Sequence, residues 1–414
     1  MSRNKGYTLR KFFNDIHLWL GLTSGLVLFV VCLTGTIYTF HKEIEELVEP
    51  QKFSVEVPAN ATRISTGALV AMVEKELNGA VTAIQIPADP EATYRLTVKQ
   101  SAPKGVDAAN GKGGRGKVYF VNPYTGALTG EDGGPTKEFF ITVMKLHRWL
   151  LIEGDTGKII VGVSTIIFVF LTLTGLILWF PARIKNWKQG LKIKTKANWK
   201  RINHDLHNTL GFYSFILLLI MGLTGLCWSF EWYRDGVSEV MGAKVFAGRG
   251  EKPLPSTDAG ELQPISIDQA VTIAESTFPY EGNLSLSLPQ GKEGTFVATK
   301  NKTGFFAGSA SDKMQIHQYS GTPLKIDRFA DKKLNEQIVA SIKPLHLGEI
   351  YGTFSKILYF IACLIATSLP VTGTMIWINK LRKKPGKRRT APAGNGAAPK
   401  AKGTEKLTGP ALVH

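Results

Sequence analysis

Asp205-Leu206-His207-Asn208-Thr209-Leu210-Gly211, followed by Leu223-Thr224-Gly225, repeats a pattern already present at Asp15-Ile16-His17-Leu18-Trp19-Leu20-Gly21 and Leu33-Thr34-Gly35. The histidine and the last glycine are 18 residues apart in both copies, and the copies lie 190 positions apart without a gap. A second pair has the same character. Leu146-His147 leads to Leu173-Thr174-Gly175 and Leu345-His346 leads to Val371-Thr372-Gly373, with histidine-to-glycine spacings of 28 and 27 residues. The chain therefore reads as a tandem duplication, each half an apolar helix, a water-soluble insert and a second apolar helix, with a histidine before each helix. Four matched histidines are the chemistry to be explained.

The apolar stretches are long. Windows 18–40, 159–180, 209–230 and 357–379 carry no charged side chain, and a hydrocarbon core of roughly 30 Å needs about 20 apolar residues at ~1.5 Å each. Four membrane spans are expected. The first is read as a retained anchor rather than a cleaved leader, because Tyr38-Thr39-Phe40-His41 offers no small-residue cleavage site.

Across 414 residues the net charge is +17, which by itself would admit a nucleic-acid partner. Its distribution argues against one. Residues 1–11 hold four Lys or Arg, 182–201 hold eight and 380–389 hold seven, with no acidic residue among them. Such segments are retained in the cytoplasm. Both termini and the central loop are thus expected there, with the inserts on the opposite, periplasmic face of a bacterial inner membrane. Cys32, Cys227 and Cys363 all fall in apolar spans, so neither a disulfide framework nor a Cys-x-x-Cys-His haem attachment is present.

The two inserts share a plan. In the first, a helix from Thr66 to Leu77, capped by Ser65 and stopped by Asn78-Gly79, precedes strands at 80–86 and 93–99, a Gly/Lys-rich loop at 101–117, and strands at 117–121 and 127–129 around Asn122-Pro123-Tyr124-Thr125-Gly126. In the second, a helix after Ser266 precedes strands at 283–288 and 294–300 and a hairpin at 315–326 around Tyr319-Ser320-Gly321. Each insert is expected to be a small α+β domain. The helix, the strands and the closing Tyr-[Thr/Ser]-Gly turn resemble the PepSY domain.

With Asp-[Ile/Leu]-His-x-x-Leu-Gly at 15–21 and 205–211, Leu-His-Arg-Trp-Leu-Leu at 146–151 and a Thr-Gly pair in every span, residues 8–380 resemble the PepSY-associated transmembrane family. That family includes iron-regulated inner-membrane proteins and haem-containing ferrisiderophore reductases, so the resemblance implies ferric-siderophore handling with electrons carried through b-type haem. The expected fold is an α-helical membrane protein: a four-helix transmembrane bundle from a tandem repeat, with two periplasmic α+β PepSY-like domains. Its expected segments are a cytoplasmic N-terminus and span at 1–40, a PepSY-like domain at 41–146, a span at 147–181 and a basic loop at 182–203. The second half follows as a span at 204–230, a domain at 231–345, a span at 346–380 and a disordered tail at 381–414.

Parallel repeats are related by an axis along the membrane normal. His17 and His207 are then expected to face each other at one depth, and His147 and His346 at another. Six-coordinate haem iron takes one axial ligand on each side, so the pairs are candidate ligands for two haems. Asp15 and Asp205 are candidates to orient the rings through their second nitrogen, and Arg148 to pair with a haem propionate. His204, one turn before His207, is an alternative ligand or supporting group, and His41 a competing ligand, a substrate contact or a surface residue. His317 is expected to be exposed. The Thr-Gly pairs are read first as small-residue helix packing, and Trp149, Trp179, Trp228 and Trp377 as belt anchors. No dinucleotide fingerprint is present, so the electron donor is expected to be quinol or a separate cytoplasmic protein. A ferric-chelate reductase is the leading expectation. An iron or chelate permease and a non-enzymatic scaffold that binds peptide or a protease are the alternatives.

Overall fold

A computed structural model describes residues 8–60, 62–100, 116–181, 184–248, 250–257, 262–304 and 311–382. The first seven residues, most of the loop expected at 101–117, and the tail beyond residue 382 with His414 lie outside them. The chain runs α1 (Leu9–Tyr38), α2 (His41–Val48), α3 (Pro50–Phe53), α4 (Thr66–Leu77), β1 (Gly79–Ile86), β2 (Tyr94–Gln100), β3 (Lys117–Val121), β4 (Leu128–Glu131), α5 (Pro135–Trp149) and α6 (Thr156–Trp179). It continues with α7 (Trp199–Ser229), α8 (Glu231–Met241), α9 (Ile267–Thr277), β5 (Gly282–Ser287), β6 (Thr295–Lys302), β7 (Ser311–His317), β8 (Pro323–Asp327), α10 (Leu334–Ala340), α11 (Ile342–Leu347) and α12 (Gly352–Leu381).

Among the described residues, α1, α6, α7 and α12 are the helices long and apolar enough to cross a membrane. They close a four-membered ring in which α1 packs on α6 and α12, and α7 packs on the same two. Successive spans are therefore neighbours running in opposite directions, and α1 and α7 lie on the diagonal, both pointing toward the sheet. Helix starts follow ordinary capping chemistry. Thr8 accepts from the Lys11 amide at 3.3 Å and Asn198 from the Arg201 amide at 3.0 Å, each occupying a donor the first turn leaves unpaired.

His147 and His346 do not open the second and fourth spans, as boundaries at 147 and 346 required. They lie on α5 and α11, short helices that pack beside α1 and α7 and end before the spans begin. Each reversal uses left-handed backbone: Leu150 (φ +56°) and Leu151 (φ +58°) after α5, Gly348 (φ +72°) and Gly352 (φ +57°) after α11. At Gly348 a Cβ would meet the Tyr359 ring at 2.5 Å, so glycine is needed there for space as well as conformation.

The inserts fold as expected strand by strand, and Ser65 and Ser266 cap α4 and α9. They are not separate units. All eight strands form one antiparallel sheet, β4-β3-β2-β1-β5-β6-β7-β8, joined where β1 pairs with β5 from Ala83↔Ser287 to Ile86↔Leu284. The physical reason is that each four-stranded half would leave the edge of its first strand unpaired, and the two edges satisfy one another. Helices α4 and α9 cover one face of the joined sheet over a common core, with Leu69, Val73, Ile84, Leu96, Ala270, Leu284, Leu286 and Met314 fully enclosed. The Asp268 carboxylate in α9 accepts from the Gly67 amide of α4 at 3.1 and 3.3 Å, and a Cβ on Gly67 would lie 2.9 Å from that carboxylate.

A shared core carries damage across the joint. Truncating Leu286 in β5 to Ala should cost about 2–5 kcal/mol, and amide exchange should quicken in β1 and β2 as well as in β5 and β6. Protection lost in the second insert alone would mean two independent modules.

Candidate functional site

Two histidine pairs meet between the halves of the chain. The rings of His17 (α1) and His207 (α7) have centroids 6.4 Å apart at an interplanar angle of 89°, at the end of the bundle away from the sheet. The rings of His147 (α5) and His346 (α11) have centroids 6.3 Å apart at 56°, at the end near the sheet. The diagonal placement of α1 and α7 brings the distal pair together across the bundle, and α5 and α11 deliver the proximal pair from the flanks.

Each ring is held by a Thr-Gly pair of a neighbouring helix in its own half. His17 Nδ1 lies 2.9 Å from Thr174 Oγ1, and His207 Nδ1 lies 2.9 Å from Thr372 Oγ1. The proximal rings add a main-chain partner: His147 Nδ1 lies 2.8 Å from the Val31 carbonyl and 3.4 Å from Thr34 Oγ1, and His346 Nδ1 lies 3.1 Å from both the Met221 carbonyl and Thr224 Oγ1. The adjacent glycine supplies room. A Cβ on Gly35, Gly175, Gly225 or Gly373 would sit 3.1 to 3.4 Å from the Cε1 atom of the ring it faces.

This network assigns the tautomer. Each of the four threonine hydroxyls donates its proton to a carbonyl one turn earlier: Thr34 to Val30 at 2.7 Å, Thr174 to Phe170 at 2.8 Å, Thr224 to Ile220 at 2.6 Å and Thr372 to Ser368 at 2.9 Å. The hydroxyl oxygen is then an acceptor for the ring, as a carbonyl always is, so the histidine proton resides on Nδ1. Nε2 keeps its lone pair. Each of the four imidazoles, two to a pair, thus retains one acceptor nitrogen.

The spacing within each pair suits one metal centre. Were both Nε2 atoms of a pair to bind one metal ion at about 2.0 Å, with each centroid about 1.2 Å behind its nitrogen, the centroids would stand about 6.4 Å apart. Among the described residues no group of three or more His, Cys, Asp or Glu converges on a metal position, so the remaining coordination would have to come from a bound group. Space for one exists at the distal pair. A cavity of about 350 Å³ between the four spans is lined by both histidines, by Gly21, Gly175, Gly211 and Gly373, and by apolar side chains, with Arg10, Asn14, His204, Asn208 and Lys380 as its polar wall. Its size falls in the ordinary range of small-molecule sites, roughly 300–1,000 Å³.

The other expected participants stand elsewhere. Asp205 does not hold His207: its carboxylate pairs with Arg201 Nε at 2.8 Å and accepts from the Lys194 amide at 3.3 Å. Two residues along a helix is a rotation of about 200°, which puts it on another face. Asp15 likewise accepts from Asn14 at 3.3 Å while the His17 Nδ1 is engaged by Thr174. The Arg148 guanidinium lies over the Trp149 ring, 5.3 Å from its centroid. His204 is half exposed, 3.6 Å from Asp205, and joins the cavity wall without joining the pair. His41 stacks on Tyr38 at 4.0 Å and donates to the Tyr38 carbonyl at 2.9 Å, apart from the proximal pair. Burial lowers its pKa.

Three readings of the sequence are corrected here. The Thr-Gly pairs are seats for the histidines and not packing motifs alone. Trp179 is buried, stacked on Phe212 at 3.7 Å, and so is not a belt anchor, and Trp228 lies 5.2 Å from His346. His317 is buried, with Nδ1 accepting from the Tyr319 and Ser320 amides at 3.3 Å and Nε2 at 3.0 Å from Thr257 Oγ1. The threonines were findable, since each precedes its glycine in every span.

Nitrogen-15 spectra of histidine-labelled protein, free of bound metal, should show the Nδ1-protonated form at positions 17, 147, 207 and 346. Thr372→Val should change the His207 signals alone. Nε2 protonation at these positions would remove the basis for ligation.

No curated protein matches the chain significantly. The model of the PepSY-associated TM region matches residues 15–380, from two residues before His17 to the last turn of α12, so the distal and proximal pairs both lie inside it. With four membrane-length helices, an insert sheet and a match over most of its length, the chain belongs to the PepSY-associated transmembrane family.

Proposed function

We propose that the protein is a haem b reductase of the bacterial inner membrane that carries electrons outward to a ferric siderophore and releases its iron as Fe(II). The observation behind this reading is the centroid spacing of 6.4 and 6.3 Å in two histidine pairs, each ring presenting an unprotonated nitrogen. His17 and His207 would hold the distal haem, His147 and His346 the proximal one. Haem b would supply a one-electron couple at each of two levels in the bilayer, and hard oxygen donors favour Fe(III) over Fe(II), which makes reduction a release step.

The residues of the chain do the rest. Threonine and main-chain acceptors fix the four imidazoles, and the glycines keep the seats open for them. Arg10 and Lys380 put positive charge on the wall of the distal cavity, where carboxylate groups of a tetrapyrrole would be met. Phe168, Leu171, Leu218 and Leu369 keep its interior apolar. The tandem repeat accounts for the pairing, because each half contributes one ligand per level. The basic loop and termini orient the sheet toward the periplasm. A permease fits less well, since α12 runs unbroken through Pro370 and no span is interrupted at mid-membrane among the described residues.

Two experiments address the reading. A pyridine haemochrome assay on purified protein should lose about half its pigment in each of His17→Ala, His147→Ala, His207→Ala and His346→Ala; colourless wild type would refute it. Alkaline phosphatase inserted between residues 101 and 115 should be active, and after residue 195 inactive; the reverse pattern would invert the direction of electron flow.

A further inference from the structure

The face of the sheet opposite α4 and α9 has no role in the account above. Register places Arg95, Gln85, Ser285, Thr299 and Lys313 opposite one another in a single rung that crosses β2, β1, β5, β6 and β7. The neighbouring rung on the same face runs Thr97, Ala83, Ser287, Val297, Gln315 and Lys325. The alternate residues Leu96, Ile84, Leu286, Ala298 and Met314 point the other way, into the core. This face is hydrophilic through its centre and continuous across the joint between the inserts, with Arg95 on one side, over the Phe53 and Phe120 rings and near the Glu45 carboxylate, and Lys313 and Lys325 on the other.

Two straps bound it. On one side α3 lies over the first insert: the Thr93 hydroxyl donates to the Lys52 carbonyl at 3.0 Å, and Arg95 stacks over Phe53 at 5.6 Å. On the other, the segment around Leu254 lies over the second: its amide donates to Gln315 Oε1 at 2.7 Å, and its carbonyl accepts from Thr295 at 2.5 Å. Both straps follow the membrane helices α1 and α7 in the chain. Between them β1, β5 and part of β6 form the floor of a trough, and from Arg95 to Lys313 is four strand spacings, about 19 Å. The one carboxylate in the first rung, Asp327, is paired with Lys332. The rung therefore presents net positive charge.

We propose that this trough binds an oxygen-rich, negatively charged metal chelate, with Arg95 and Lys313 meeting its anionic groups and Gln85, Ser285 and Thr299 hydrogen-bonding its oxygens. The assignment names the substrate site of the proposed reductase and rests on that reading for its physiological ligand; the binding itself does not require electron transfer. Cations flanking neutral hydrogen-bonding groups match a chelate whose charge is spread over ligand oxygens. A neutral hydroxyl floor also tolerates different chelate shapes, because Ser and Thr can donate or accept.

Gallium(III) citrate is the probe, since gallium is not reduced and its binding is independent of haem. Isothermal titration of the full chain in detergent should show saturable binding that weakens with added salt. Ser285→Asp and Lys313→Glu should each raise Kd about tenfold or more, and Lys75→Glu, on the opposite, helix-covered side, should leave it unchanged. Absence of binding to wild type, or equal Kd in all variants, overturns the proposal. So does protection of the trough by anionic lipid with no chelate binding, which would make it a headgroup contact. Binding by wild-type protein that carries no haem as purified would uphold the site while removing the reductase reading.

Discussion

An imidazole inside a membrane bundle must have its ring nitrogens accounted for, because an unpaired polar group in a dry interior costs roughly 1–3 kcal/mol or more. In this protein one nitrogen of each of four rings is accounted for in the same way. A threonine whose own proton is committed one turn back along its helix can only accept from the ring, and the glycine beside it lets the ring approach to within 3.1 to 3.4 Å of where a Cβ would be. The second nitrogen keeps its lone pair. Everything that follows depends on that division of labour between Nδ1 and Nε2.

The seats lie within each half and the pairs form between halves, so the site exists only if the halves are held in register. Contacts of α1 with α12 and of α6 with α7 do this in the bundle, and the β1–β5 joint does it in the sheet. Ion pairs add to the connection near the sheet: buried Lys356 at the start of α12 meets Glu43 of α2 at 2.5 Å, and Lys42 meets Glu349 at 3.5 Å. The two levels differ in detail. Proximal rings donate to main-chain carbonyls as well as threonine, as His207 does to Leu369, while the distal pair borders the cavity.

Much of this was legible beforehand. The 190-residue offset and the 18-residue spacing point to the pairing of His17 with His207, and the spacings of 28 and 27 residues to that of His147 with His346, because a repeat in a bilayer restricts how matched residues can meet. Turn residues and caps located most insert strands within a residue or two, although β7 begins at Ser311, four residues before the hairpin expected at 315–326. Three things were not legible. The role of the Thr-Gly pairs was hidden because small residues serve general helix packing equally well. The joined sheet was hidden because β1 and β5 are about 200 residues apart and edge pairing leaves no local signal. Asp15 and Asp205 misled because adjacency in sequence is not adjacency on a helix surface.

The central claim is that two imidazoles, one from each half, grip a single iron at each of two levels. Low-temperature electron paramagnetic resonance of the oxidised, purified protein tests it most directly. Two low-spin ferric signals typical of paired imidazole ligation, with about two haem b per chain, are the expected result. A high-spin five-coordinate signal, or a haem that persists when a histidine of the pair is removed, would contradict it.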